Sequence, residues 1–206
     1  MINLKKKSWN DVSITDWKKL RDISEENISE AEKNVATLAV LCEVSEDELW
    51  DMPVGELQRL QNGIDWIGKF DFNKKASHKR ITIGGEKYNI TTDLNKLTVA
   101  AYVDYQLYIN DRDNHMGDIL ACFIVPEGKT YGNGYDVQEL AKKIEDTVSI
   151  VFWNEIFFSL LRNSLYSIKA MQIYLTYRQK KTKDKKEREM MEEAMTKLKE
   201  MMDTLG

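Results

Sequence analysis

The sequence predicts a mainly α fold: a multi-helix domain with one small antiparallel β-hairpin at about residues 80–90 and a long C-terminal helical region. Three observations predict it. Proline, which interrupts helices, occurs only twice in 206 residues. Apolar residues recur at three- and four-residue spacing along most of the chain, as they do on the buried side of a helix. One short segment, residues 81–93, instead alternates with the two-residue period of a strand.

Composition indicates a globular protein. The chain is 42% hydrophobic and 31% charged, and a domain of this length can bury a sizeable core without disulfides or metals. The net charge of -4 gives no overall field that would attract nucleic acid or an anionic membrane. Cys42 and Cys122 each lie in an apolar run, so we expect two buried thiols and a reducing compartment.

The first three predicted helices each follow a serine, whose hydroxyl can accept a hydrogen bond from a free backbone N–H. Ser13 precedes ITDWKKLRDI, and Ser29 precedes EAEKNVATLAVLCEV. Ser45 stands three residues before Glu48 and ahead of ELWDM, which is the spacing of a capping box. These three segments are predicted to be helices that begin directly after their serines.

A fourth helix is predicted over residues 54–70, VGELQRLQNGIDWIGKF. Pro53 suits a helix start, and the leucines and isoleucines of this segment form one stripe. We expect residues 1–72 to form an N-terminal helical unit.

Residues 73–177 are predicted to form a second unit, which begins with the hairpin. Alternating segments flank Gly84-Gly85 in ITIGGEKYNI, as is typical of a two-residue hairpin turn. KLTVAAYVDYQLYI carries apolar residues on more than one side, so we expect a helix buried on two sides. HMGDILACFIV is predicted to be a shorter helix that ends at Pro126.

A glycine-rich loop, EGKTYGNGY, then leads to a helix, VQELAKKIEDT, that Asp136 can cap. The unit ends with a long apolar helix, residues 148–177. Glu155, Arg162 and Lys169 interrupt this helix, and each charge costs roughly 2.5 to 3.5 kcal/mol at bilayer depth. We therefore expect it to be buried by protein and expect no membrane contact.

Residues 178–206 form a third region, a basic run followed by a methionine-rich helix. RQKKTKDKKER, residues 178–188, holds seven basic and two acidic residues, and its lysines are a candidate basic contact. Downstream, the residues that we name the methionine strip step by four, three, four and three, the spacing of a coiled-coil seam. Two heptads are too short to be stable alone, so the strip must pack on its own domain, another copy or a partner. The candidate basic contact is Lys180, Lys181, Lys185 and Lys186, and the methionine strip is Met191, Met195, Leu198, Met202 and Leu205.

No segment carries a recognisable enzymatic or cofactor-binding pattern. Gly84-Gly85 lacks the third glycine of a dinucleotide fingerprint and the Lys-Ser/Thr of a P-loop. GKT in the glycine-rich loop lacks the opening glycine of a P-loop, because Phe123 stands there. DRDNHMGD has calcium-loop spacing in part, but no Glu at the twelfth position. We predict no catalytic, cofactor-binding or metal residue and no enzyme activity.

Several segments resemble those of one family. These are WNDVSITDWKKLRDI, ATLAVLCEVSEDELWDMPVGEL, ITIGGEKYN, DLNKLTVAAYVDYQ and LACFIVPEGKTYGNGYD. Over roughly residues 9–177 the chain resembles morphogenesis proteins of tailed bacteriophages, among them tail assembly chaperone-like proteins and virion-cluster proteins of Bacteroidetes phages, including crAss-like ones.

The resemblance implies a non-enzymatic protein of phage particle assembly that acts through protein–protein contacts, with tail, tape-measure or portal-region proteins as partners. A tail assembly chaperone would shield apolar helices of a tape-measure protein in the host cytoplasm. One alternative is a permanent virion component: a ring, connector or internal cargo protein of the portal–tail region. A second alternative is contact with nucleic acid through residues 178–188. A homo-oligomer is compatible with each of these roles.

Overall fold

The computed structural model describes residues 2–70, 78–182 and 185–205, without the side chains of 166, 167, 187 and 201–205. Within these residues it confirms the mainly α fold, with nine α-helices and a three-stranded antiparallel sheet. The predicted boundary between residues 72 and 73 lies outside the described residues. The helices are α1 (Ile14–Glu25), α2 (Glu30–Cys42), α3 (Glu46–Trp50), α4 (Val54–Gln61), α5 (Val99–Tyr108), α6 (Met116–Phe123), α7 (Val137–Thr147), α8 (Ile150–Lys181) and α9 (Lys185–Leu205). The strands are β1 (Arg80–Ile83), β2 (Glu86–Ile90) and β3 (Ile124–Pro126).

The predicted serine caps are confirmed at the first three helices. The Ser13 hydroxyl accepts a hydrogen bond from the Asp16 backbone N–H, 3.1 Å away. Ser29 and Ser45 each form a full capping box with the glutamate three residues on. Each serine satisfies a backbone donor that the first helical turn leaves free, so these helix starts are fixed locally.

The fourth helix is shorter than predicted, because α4 ends at Gln61 instead of continuing to residue 70. Gly63 follows directly, and a Cβ there would lie 2.6 Å from the Leu4 Cδ1 atom. The Leu4 side chain of the N-terminal segment therefore lies so close to the backbone at residue 63 that a side chain there would collide with it. Ile64 and Ile67 still pack on the core, but from consecutive turns rather than from a helix.

The hairpin is confirmed, and it gains a third strand that the sequence did not predict. Gly84 and Gly85 both have positive φ, 57° and 82°, as the two-residue turn between right-twisted strands requires. β2 pairs with β1 on one edge and with β3 on the other. HMGDILACFIV was therefore wrongly predicted as one helix: α6 ends at Phe123 and the next three residues are extended.

Helix α6 lies at the centre of the core. Seven of its eight residues are buried, and they pack among α5, α7 and the sheet. α7 comes closest at Gly117, where a Cβ would lie 2.6 Å from the Ala141 carbonyl oxygen. The Gly117 N–H donates to the Glu145 carboxylate, and Lys18 of α1 also donates to that carboxylate. The absence of a side chain at Gly117 thus allows the α6 backbone to contact the Glu145 side chain of α7 directly.

A short β-bridge joins the starts of α1 and α8. The Ile14 N–H donates to the Val148 carbonyl and the Ile150 N–H donates to the Val12 carbonyl, at 3.1 and 2.9 Å. The first half of α8 then enters the core, where the indole N–H of Trp153 donates to the Met116 carbonyl. The bridge holds the starts of the two helices side by side.

The second half of α8 leaves the body and pairs with α9. After Ile168, which is buried, α8 packs chiefly on α9, which returns alongside it. The guanidinium of Arg188 donates twice to the Thr182 carbonyl at the turn. We name residues 169–182 and 185–205 the distal hairpin. None of the described helices is long and apolar enough to cross a membrane.

Candidate protein-interaction surfaces

The outer side of α5 is an exposed apolar surface. Val99, Val103 and Leu107 are 81%, 58% and 68% exposed, and Tyr102 lies beside them. At helical spacing these four share one side and extend about 12 Å along the axis. We name them the α5 stripe. Ala101 and Tyr105 on the opposite side are buried, so the prediction of a helix buried on two sides was wrong: the described residues cover one side only.

No charged side chain lies within the α5 stripe. The one ionisable carboxylate of this helix, Asp104, accepts a hydrogen bond from the Tyr131 hydroxyl at 2.7 Å. Burial, together with this bond, raises the pKa of Tyr131 far above its usual value. Burial likewise raises the pKa of the neighbouring Cys122 thiol, to about 12. The inner side of α5 is thus held by a partly buried hydrogen bond, while the four side chains of its outer side are uncharged.

The outer side of the distal hairpin carries a second apolar surface, on α8. Ile173, Tyr174 and Tyr177 are 72%, 55% and 54% exposed and face away from α9 by helical spacing. Lys169, Lys180 and Lys181 border them. Among the described residues none forms an ion pair with these three lysines, although the Lys181 ammonium lies 4.5 Å from the centre of the Tyr177 ring. We name these six residues the α8 stripe.

The methionine strip packs on the inner side of α8. Met191 is 9% exposed, and the Thr176 hydroxyl lies 3.6 Å from the Met195 sulfur. Leu198 is half-buried on the same side. Met202 and Leu205 belong to α9, but their side chains lie outside the described residues. Of the three partners left open by the sequence, the structure places the protein's own domain against the described part of the strip.

The four candidate basic residues lie on both sides of the turn between α8 and α9. Lys180 and Lys181 end α8, and Lys185 and Lys186 begin α9. All four are exposed, and Lys185 lies 3.9 Å from Glu189 in a long ion pair. The structure therefore gathers these lysines at the tip of the distal hairpin.

A third exposed surface occupies the corner between α3 and α4. Trp50 and Val54 are 53% and 69% exposed. Glu46, Asp47 and Asp51 surround them, and all three are exposed. Among the described residues none forms an ion pair with these three carboxylates. We name these five residues the acidic corner.

The polar groups around Gly84-Gly85 and in the calcium-like loop DRDNHMGD form hydrogen bonds within the protein. The Lys143 ammonium lies over Gly84 and donates to the Glu86 carboxylate, 2.9 Å away, and to the Tyr88 hydroxyl. In DRDNHMGD, Asn114 donates to Asp111. His115 hydrogen-bonds Asp118, 2.8 Å away. Among the described residues no three His, Cys, Asp or Glu side chains are grouped so that they could hold a metal ion.

Sequence reasoning named the methionine strip and the lysines, but it did not find the α5 stripe, the apolar part of the α8 stripe or the acidic corner. One signal was available for α5: its ten residues contain a single charged residue, Asp104. Surface helices normally carry charges on the solvent side. Spacing alone cannot separate an apolar side that is buried from one that is exposed.

Comparison with known proteins finds no family model, no curated protein and no solved structure that matches the chain.

Proposed function

We propose that the protein acts in the assembly of a tailed-phage particle, by holding an apolar helical segment of another phage structural protein on the α5 stripe. The observation that carries this proposal is the exposure of three aliphatic side chains, Val99, Val103 and Leu107, on one uncharged side of a helix. Contiguous exposed apolar surface of this kind marks interaction sites in soluble proteins. The resemblance to phage morphogenesis proteins supplies the biological setting.

The chemistry of the α5 stripe favours an apolar helix as the bound segment. Aliphatic side chains at i, i+4 and i+8 form a ridge that the side of a second helix can cover. Full burial of each aliphatic side chain is worth roughly 1.5 to 3 kcal/mol, which the cost of association reduces. Since none of the four side chains of the stripe is charged, the bound segment needs no charge to meet them. A tape-measure helix, shielded until the tail closes around it, meets these requirements.

The residues of the α5 stripe can be replaced without unfolding the protein, so their role in binding can be tested alone. Its side chains are exposed, so replacing them with polar residues should change the free energy of unfolding by less than about 0.5 kcal/mol each. A triple variant, V99S/V103S/L107S, should therefore fold as the wild type does and lose its partner. The matched control V99I/V103I/L107M keeps the stripe apolar and should keep the partner.

The experiment is co-expression of each variant with the tail, tape-measure and portal-region proteins of the same phage, one at a time, followed by affinity capture. We expect the wild type and the control to retain one of these proteins, and the serine variant to retain at least tenfold less. Equal capture by the serine variant would contradict the proposal. Mass spectrometry of purified virions then separates the two assembly roles, because a permanent component is present in stoichiometric amount and a transient chaperone is absent.

Contact with nucleic acid is the second candidate, and the grouping of four exposed lysines at the tip of the distal hairpin favours it. Such a contact would be electrostatic, independent of sequence and sensitive to salt. Replacing Lys180, Lys181, Lys185 and Lys186 with Ala should then lower retention on DNA-cellulose. Retention equal to that of the wild type would eliminate this function.

A further inference from the structure

The α8 stripe and the acidic corner have opposite charge and the same apolar character. The α8 stripe places Ile173, Tyr174 and Tyr177 between cationic side chains. From Ile156 to Lys181, α8 contains no acidic residue. Its exposed distal part is therefore uniformly basic around an apolar centre, and the surface that fits it has an apolar centre and an acidic border.

The acidic corner has this composition. Trp50 and Val54 form its centre, with exposed Asp47 in α3 and exposed Asp51 directly after that helix. No Lys or Arg occurs between residues 34 and 58, so the segment that carries the corner is as free of basic residues as the distal part of α8 is of acidic ones. Tryptophan and tyrosine are also the side chains most enriched at the centres of protein interfaces.

Neither surface can pair with its own kind without cost. Two α8 stripes in contact would bring lysines together, and two acidic corners would bring carboxylates together, in each case at an apolar interface where repulsion is poorly screened. A symmetric dimer through either surface is therefore disfavoured. Pairing of the α8 stripe with the acidic corner matches every charged group with an opposite charge.

We infer that the acidic corner of one copy docks on the α8 stripe of a second copy, so that the chain associates head to tail. Such a contact uses two different surfaces of each copy, and repetition produces a closed ring or an open filament. Five large apolar side chains make a small interface, at the low end of specific contacts. The association should thus be weak, concentration-dependent and opposed by salt.

This inference goes beyond the proposed function and does not depend on it. The α5 stripe takes no part in the head-to-tail contact and stays available to another protein in each copy. Loss of self-association would leave capture by α5 intact, and loss of capture by the serine variant would leave self-association intact. The two proposals can therefore fail separately.

Charge reversal provides the test, by sedimentation velocity of the purified full chain at low salt. In K180E/K181E both surfaces are acidic, and in D47K/D51K both are basic, so each variant alone should remain monomeric. In an equimolar mixture the acidic α8 stripe of K180E/K181E can pair with the basic corner of D47K/D51K. The basic α8 stripe of D47K/D51K can pair with the acidic corner of K180E/K181E. We expect the mixture to recover the larger species of the wild type, and about 0.5 M salt to weaken both by roughly tenfold.

A matched control, K87E/K142E, reverses two exposed lysines outside both surfaces and should associate as the wild type does. Far-UV circular dichroism of each variant checks that the helices persist. W50S/V54S tests the apolar centre without altering charge and should also abolish association. A wild type that stays monomeric up to about 100 µM, or a mixture that fails to assemble while each variant is folded, would overturn the inference.

Discussion

Leu120 in α6 and Ile173 in α8 are both aliphatic residues in the middle of a helix, yet the first is fully buried and the second is 72% exposed. The difference holds for the regions around them. The body, residues 2–70 and 78–168, buries seven of the eight residues of α6, whereas in the described part of the distal hairpin each helix packs on the other along one side only. Buried apolar residues of the body stabilise the fold, and the exposed ones on the outside of the hairpin have no such role. The comparison shows that apolar content and structural importance are separate properties in this chain.

The largest expected difference concerns these two residues. Leu120→Ala should lower the free energy of unfolding by about 3 to 5 kcal/mol, because it removes a fully buried side chain and leaves a cavity. Ile173→Ala should change it by less than about 0.5 kcal/mol. Urea denaturation followed by tryptophan fluorescence measures both. A comparable loss in the two variants would remove the distinction between body and hairpin.

A smaller effect is expected where two helices of the body approach closely. Gly117→Ala places a methyl group 2.6 Å from the Ala141 carbonyl oxygen and should cost about 1 to 3 kcal/mol through overpacking.

Gly55→Ala is the matched control, since α4 leaves open space around that position. Alanine there should stabilise the protein by about 0.5 to 1 kcal/mol, as in an exposed helix. We expect the midpoint of thermal unfolding to fall in Gly117→Ala and to rise in Gly55→Ala. Shifts of the same sign would contradict this expectation.

Within the distal hairpin, two adjacent methionines provide a finer comparison. Met191 is 9% exposed against α8 and Met190 is 56% exposed. Met191→Lys should release α9 from α8, because a charge would enter the apolar contact, and Met190→Lys should not. We expect faster amide hydrogen exchange throughout α9 in the first variant, with unchanged protection in α6. Loss of protection in both regions would mean that body and hairpin unfold together.

The last comparison concerns a pH dependence that arises in the body. Burial raises the pKa of Cys122 to about 12, against about 8.5 in an unfolded chain. Between these values the unfolded state releases a proton that the folded state retains. Stability should therefore be full below about pH 8.5 and fall as the pH rises towards 12, by at most about 1.4 kcal/mol per unit for this group.

Cys122→Ala removes this contribution, so its stability should fall less steeply between pH 8.5 and 10 than that of the wild type. The comparison of slopes cancels the other groups that titrate in this range. Parallel slopes in urea denaturation would show that the thiol does not titrate differently on unfolding.

The sequence predicted those features that are fixed by a few neighbouring residues. Ser13, Ser29 and Ser45 cap helices through contacts three residues away, and Gly84-Gly85 determine the hairpin turn within the turn itself. Features set by distant packing were not predicted. β3 was taken for helix because an apolar run such as ILACFIV suits a buried helix and a buried strand equally. Close approach of Leu4 to Gly63, just after the end of α4, is likewise a contact between distant parts of the chain.

The candidate surfaces follow the same rule. The methionine strip was found because its heptad spacing is local, but its position against α8 depends on the turn at Thr182. The α5 stripe was taken for core because its apolar spacing is that of a buried helix side, whereas the described residues leave it exposed. In this protein, the candidate interaction surfaces are apolar residues at the spacing of a buried helix side that the described residues leave exposed.

The bridge between Ser13 and Ser149 also bears on how the chain folds as it is synthesised. The two residues are far apart in the sequence, so this contact cannot form until most of the protein has left the ribosome. Contacts of such long range close slowly, because the intervening chain must be ordered first. α1 can form early but cannot reach its final position before α8 emerges. The body is therefore completed only when α8 has emerged from the ribosome, and the distal hairpin, which includes the end of α8, forms no earlier.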